Sequence, residues 1–193
     1  VDHLGEPWAL RLPSIPVENG SLVGHIEDQQ GRFNLNNVAI EGRVNAVQLE
    51  RFGRLLSLLG LPPALGEALA DWIDTDNEPL PRFGAEDAYY LSRQPPYRAA
   101  NRPLIDVAEL ALVRGFDAEV RRRLRPFVTA LPRNTAVNVN TATPEVIAAT
   151  VSGLDIDDAR SIIAQRQSIY FRSPSEFIAR LPRGLTVTST DIA

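Results

Sequence analysis

Cysteine is absent from the 193 residues, so no disulfide framework, thiolate metal site or thiol nucleophile is available. Methionine is absent too, position 1 included, which implies a processed or engineered start at Val1 and hence a piece of a longer protein. No apolar run reaches the length of a membrane span, and the opening residues lack the pattern of a signal peptide. Histidine is limited to His3 and His25, without His-x-x-x-His spacing, and there is no Gly-x-Ser-x-Gly elbow. Positive charge is in deficit: the net charge is -4 and the pI near 5.3, which leaves no surplus to neutralise a phosphate backbone. Catalysis and nucleic-acid binding both start poorly supplied, and the chain is expected not to be an enzyme.

What is present is an apolar content of 44%, enough for a sizeable core. Residues 1–20 carry Pro7, Pro13, Pro16 and Gly20 at spacings that exclude a helix, so the chain opens extended. Between Ser21 and Val38, apolar residues on either side of Gln29-Gln30-Gly31 suggest a short β-hairpin. Leu49, Phe52, Leu55, Leu56 and Leu59 recur at helical steps and Gly60 stops them; a second helix after Pro62-Pro63 aligns Leu65, Leu69, Trp72 and Ile73. Asp106 with Glu109, and Ser173 with Glu176, have the spacing of capping boxes. Helices are also expected from Asp117 towards Pro126, from Pro144 behind Thr143, and over Asp157 to Arg166, and LTVTSTDI at the end alternates like a strand.

These elements repeat once. FNLN and VNVN each lead into the same order of helices, giving unit one over 34–130 and unit two over 137–183, with residues 74–101 as an insertion in the first. The second unit resembles the helix-hairpin-helix of DNA-binding proteins, which makes a nucleic-acid-binding protein the alternative function. Its hairpin Gly153-Leu154-Asp155 is followed by Asp157 and Asp158, so carboxylates stand where a phosphate would approach.

The insertion gathers Asp74, Asp76, Glu78, Glu86 and Asp87 within fourteen residues. Hard oxygen ligands at this density suit Ca²⁺, although Pro79 replaces the turning glycine of an EF-hand. A solvated acidic loop accounts for the same residues; a 28-residue segment with little periodicity is ordered more readily by one cation than by its few apolar side chains.

Four motifs in order, Glu6-Pro7-Trp8-Ala9, IEDQQGRFNLNN from Ile26, Asp71-Trp72-Ile73-Asp74 through Gly84-Ala85-Glu86-Asp87 with Tyr90, and VNVNTA from Val137, resemble the K-type minor pseudopilins, the GspK family, of the type II secretion system. The resemblance implies an α+β pseudopilin fold, a small antiparallel β-sheet with a large inserted α-helical domain of two SAM-like or helix-hairpin-helix-like units. Residues 1–40 would open that fold and begin its sheet, 41–183 would be the inserted domain, and 184–193 a truncated returning strand. It further implies I-type and J-type minor pseudopilins as partners in a tip complex, the H-type through them, and no nucleic acid. The location implied is the periplasmic face of the bacterial inner membrane, with anchoring by an N-terminal helix absent here. Calcium binding is implied as well, with Asp74, Asp76, Glu86 and Asp87 as the foremost ligands and Glu78 and Asn101 behind them.

Overall fold

The computed structural model describes residues 2–10, 13–166, 169–185 and 187–193. After a 3-10 turn over Pro7–Ala9, β1 (Ile15–Val17) and β2 (Gly20–Leu22) form an antiparallel hairpin, exposed at every residue. The hairpin lies earlier than the apolar spacing suggested. At Gln29–Gly31, Asp28 accepts from the Gln30 N–H at 2.9 Å and closes a 3-10 turn instead. The chain then enters β3 (Phe33–Asn34), followed by β4 (Ala39–Ile40) and β5 (Arg43–Val44). β4 and β5 close through Glu41 and Gly42, at φ of 51° and 75°, the pair of positive angles that a tight hairpin turn demands.

α1 (Ala46–Leu58) starts where the Asn45 side chain accepts from the Gln48 N–H, and it buries Arg51, Phe52, Leu55 and Leu56. Gly60 at φ 62° ends it in the left-handed conformation that glycine adopts without strain. α2 (Leu65–Ile73) is buried on nearly every side, including Asp71, as expected for a helix at the centre of a core. α3 (Asp87–Leu91) lies inside the acidic insertion; a 3-10 segment over Val107–Leu112 begins with the Asp106–Glu109 capping box. α4 (Ala118–Leu124) leads to β6 (Val128–Thr129), which pairs in parallel with β3. α5 (Pro144–Thr150), α6 (Ile156–Arg166) and α7 (Pro174–Ile178) complete the chain, with α5 packed between α1 and α6. At α7, Ser173 caps the Glu176 N–H, but the Glu176 carboxylate reaches the Arg172 N–H, one residue short of a full capping box.

The repeat is built from asparagines. Asn34 and Asn138 each accept from the N–H two residues on, at 3.2 and 2.9 Å. Asn36 and Asn140 then bridge a distant backbone in both directions, Asn36 to Leu104 at 2.7 and 2.9 Å and Asn140 to Phe171 at 2.8 and 2.8 Å. Leu104 and Phe171 each lie two residues ahead of the capping residue of the following helix, Asp106 and Ser173. An asparagine at the same place in each repeat therefore anchors the start of a later helical segment, Val107–Leu112 in the first unit and α7 in the second. Replacing Asn140 with Ala strands both buried Phe171 groups and is expected to cost about 2 kcal/mol, read as an earlier urea midpoint at unchanged slope. Asn36→Ala should match it.

The end of the chain is not a full strand. Thr186, within the alternating LTVTSTDI, lies outside the described residues; among the others only Ile192 pairs, as a parallel bridge to Val137. Its place is held by Asp191, whose two carboxylate oxygens meet Arg51 at 2.6 and 2.8 Å. The hydrogen bond from Arg51 holds the Asp191 carboxyl below the usual range. A short run of backbone bonds, Val137 N–H to the Asp191 carbonyl at 2.9 Å and Ala193 N–H to the Val137 carbonyl at 2.8 Å, and the polar clamp to α1 together fix this segment.

Candidate metal centre

Asp71 stands in the last turn of α2 and Asp74 is its C-cap residue, three positions on, which brings both carboxylates to one side of the helix end. Glu86, immediately before α3, comes back to that side. The three offer oxygens that all lie within 4.8 Å of one another, and the residues are only 0%, 2% and 2% exposed. Asp71 Oδ1, Asp74 Oδ1, both Glu86 carboxylate oxygens and Asn101 Oδ1 are buried with no hydrogen-bond partner. Buried polar atoms are almost always satisfied, and buried charges almost always paired. Four orphaned carboxylate oxygens in one cluster, with a fifth orphaned acceptor on Asn101, which is hydrogen-bonded to the end of α2, call for a shared positive partner.

The electrostatics agree. Burial, reinforced by Asp76 and Asp71, pushes the Asp74 carboxyl up to about 7; burial and the surrounding carboxylates push Glu86 up to about 8. Asp71 rises to about 6, again mainly through burial, with the Leu80 and Ala85 amides offsetting part of it. Three carboxyl groups are held where their charged forms are costly without a cation. Oxygen donors alone, with no histidine or cysteine, fit Ca²⁺ better than a transition metal.

The insertion is wrapped tightly around this cluster. Asp71 Oδ2 accepts from the Leu80 N–H at 3.0 Å, and Glu67 accepts from the N–H groups of Arg82 and Phe83 at 2.8 and 2.9 Å. Arg114 donates to the Gly84 carbonyl at 2.9 Å while its guanidinium lies 4.2 Å from the centre of the Phe83 ring. Tyr90, fully buried, packs edge-on to Trp72 at 5.0 Å and beside Tyr97 at 5.3 Å. Asn101 takes φ 47° and donates its N–H to the Trp72 carbonyl at 3.0 Å, which returns the insertion to the end of α2.

Four ligands were expected from the sequence, and the structure brings only Asp74 and Glu86 of them into the buried group. Asp76 stays outside it; its Oδ1 accepts from the Glu78 N–H at 2.9 Å, and it reaches the cluster through its charge alone. Asp87 is spent on the insertion itself, accepting from the Ala99 N–H at 3.1 Å and pairing with Arg98 at 3.0 Å. Glu78 is exposed. Asp71 was missed. Its signal was an aspartate three residues before Asp74, flanked by Ala70 and Trp72 on a helix that is apolar from Ala68 onward apart from it.

The hairpin of unit two is arranged against phosphate. Asp155 Oδ1 accepts from the Asp157 N–H at 2.7 Å, so the start of α6 is occupied by the chain's own carboxylate. Of the basic run, Arg122 is paired with Glu119 at 2.7 Å and Arg123 donates to the Leu59 carbonyl.

Together these features define a class: an α+β fold of short helices and two-stranded sheets, with an acidic segment folded around buried carboxylates. Residues 31–133 and 137–192 match two sequence models of one description, type II secretion system (T2SS), protein K, and the chain belongs to that family. It is 42% identical over 186 residues to type II secretion system protein K of Pseudomonas aeruginosa, covering 94% of this chain and 55% of the relative. With the protein of the same name from Aeromonas hydrophila it shares 32% identity, over 96% of this chain and 62% of the relative. Its fold matches a chain in the crystal structure of the GspK-GspI-GspJ complex from enterotoxigenic Escherichia coli with a TM-score of 0.83 and 30% identity, over 99% of this chain and 71% of that one. The chain thus spans little more than half the length of the curated relatives it matches.

Proposed function

We propose that the chain is the periplasmic head of a K-type minor pseudopilin, which joins I-type and J-type minor pseudopilins, and the H-type through them, at the tip of the pseudopilus that supports export of folded proteins across the outer membrane. The observation that carries this reading is the likeness, over 99% of the chain, to a chain solved in a complex of GspK with GspI and GspJ. In this reading the helical body is a domain inserted into a small pseudopilin sheet, to which the exposed β1–β2 hairpin and the segment at Ile192 belong. Among the described residues no helix is long and apolar enough to cross a membrane, and anchoring to the inner membrane falls to an N-terminal helix. Co-expression of the chain with I and J pseudopilin domains and gel filtration tests the assignment. A stoichiometric ternary complex is expected; separate elution of the K chain at micromolar concentration would count against it.

Within that head, Asp71, Asp74 and Glu86, with the Asn101 carbonyl oxygen, would hold a calcium ion of structural role. The ion supplies the positive charge that lets these oxygens be buried ionised; the chain's own part is to fold residues 80–86 back onto α2. Asp87 acts by tying the return of the insertion, not as a ligand. Asp87→Ala should therefore lower stability by about 1–2 kcal/mol through its lost ion pair and amide contact, yet leave a calcium-induced rise in melting midpoint intact. A calcium response lost in Asp87→Ala would return that residue to the ligand set.

A further inference from the structure

Arg51 is buried and Arg166 half-buried, and among the described residues Arg51 has a counter-charge while Arg166 has none. Arg51 is met by both oxygens of Asp191. Arg166, at the last position of α6, donates one N–H to the Val139 carbonyl at 2.6 Å, and no described carboxylate lies within ion-pair distance of it. Burial alone, with no opposing charge to offset it, lowers its guanidinium to about 10. An arginine stays protonated in proteins, so this half-buried guanidinium carries a charge that no described carboxylate offsets.

Arg166 lines a cavity of about 340 Å³, together with His3, Leu4, Gly5, Asn140, Ile163 and Tyr170. The volume is at the small end of ligand pockets, which run from about 300 to 1,000 Å³. Its aromatic wall is built: the His3 and Tyr170 rings stack with centres 3.8 Å apart and 11° between planes. His3 Nδ1 accepts from the Gly5 N–H at 3.1 Å, so a neutral ring keeps its proton on Nε2 as a further donor. The Asn140 amide is committed to Phe171 and contributes rigidity. One charged fork, apolar walls and a stacked pair make a site for a compact anion with a flat or apolar body.

We propose that this cavity is a carboxylate-binding site, in which Arg166 takes the carboxylate and the His3–Tyr170 pair flanks the body of the ligand. A carboxylate matches the planar fork through two parallel hydrogen bonds. Two sources carry such a group, a free organic acid and a peptide that ends in or presents a carboxylate.

Thermal melts of the 193-residue chain at constant ionic strength separate them, with benzoate against its neutral isostere benzamide and an acetylated Ala-Phe dipeptide with a free against an amidated C-terminus. A rise of roughly 3 °C is expected for a charged probe about tenfold above its dissociation constant, with none for the neutral partner. Benzoate acting alone identifies a small acid, and the free-ended dipeptide acting alone identifies a peptide. Arg166→Gln should abolish the response. If that variant does not fold, Tyr170→Ala, at an already exposed ring, should weaken it at least threefold in apparent affinity. The proposal is overturned if neither charged probe shifts the melt, if benzamide shifts it equally, or if the response survives in the foldable variant.

Discussion

In the presence of a chelator, the melting midpoint of the chain is expected to fall as pH rises from about 4 to about 8, by several kcal/mol, on the order of 10 °C or more. The sign follows from the direction of the shifts. Asp71, Asp74 and Glu86 have folded-state values raised to about 6, 7 and 8, above the unfolded 3.8 and 4.5. Between the unfolded and folded values the native state binds more protons, so stability is full below about pH 4 and drains away through each raised value in turn. Glu86 is the last to ionise, and Asp71, Asp74, Asp76 and Asp87 all oppose it. Calcium should act against the loss. At pH 8, calcium about a thousandfold above its dissociation constant adds about 4 kcal/mol, a gain that offsets much of that loss. Glu86→Gln should act in opposite directions: more stable than the parent in chelator at pH 8, because a buried charge is gone, and largely deaf to calcium. A rising midpoint with pH in chelator would contradict the burial of these groups as ionisable carboxyls.

Gly84→Ala should be the most damaging conservative change in the insertion, at about 3 kcal/mol by overpacking, with loss of the calcium response. A Cβ there would stand 2.3 Å from Asp71 Oδ2, 2.3 Å from the Leu80 nitrogen and 2.5 Å from the Leu80 carbonyl oxygen. Two of those atoms are backbone and cannot swing aside, and the third belongs to the carboxylate that anchors the cluster. The Gly84 N–H also donates to the Leu80 carbonyl at 3.0 Å, so the turn cannot open without losing a bond. Gly53 supplies the control. Within α1, its added Cβ meets only Pro63, at 3.8 Å, so Gly53→Ala should stabilise by about 0.5–1 kcal/mol through helix propensity alone. Urea denaturation of both variants, with and without calcium, measures the contrast.

Much of the helical layout was legible because it is written locally. The apolar steps of α1, its stop at Gly60 and the caps at Asn45, Asp106, Thr143 and Ser173 are short-range signals, and each marks a boundary in the structure. α3 escaped notice because five residues are too few to display a helical period. The hairpin was misplaced because Phe33 and Asn34 pair with Val128 and Thr129, nearly a hundred residues away, a preference no local pattern carries. For the candidate site, carboxylate density pointed to the segment that supplies Asp74 and Glu86 but not to Asp71, the third member of the buried cluster. Density cannot tell that Arg98 and the Ala99 amide claim Asp87, or that α2 lies deep enough to bury Asp71. The asparagine bridges show the converse. FNLN and VNVN announced the repeat, yet only the fold reveals that Asn36 and Asn140 each reach the start of a later helix.

The cation-held insertion is tested most directly by isothermal titration of calcium into the chelator-treated chain at pH 8, beside the double variant Asp71→Asn, Glu86→Gln. Saturable binding in the parent and none in the variant, which remains folded by circular dichroism, is the predicted result. No binding at millimolar calcium, or equal binding by both proteins, would contradict it.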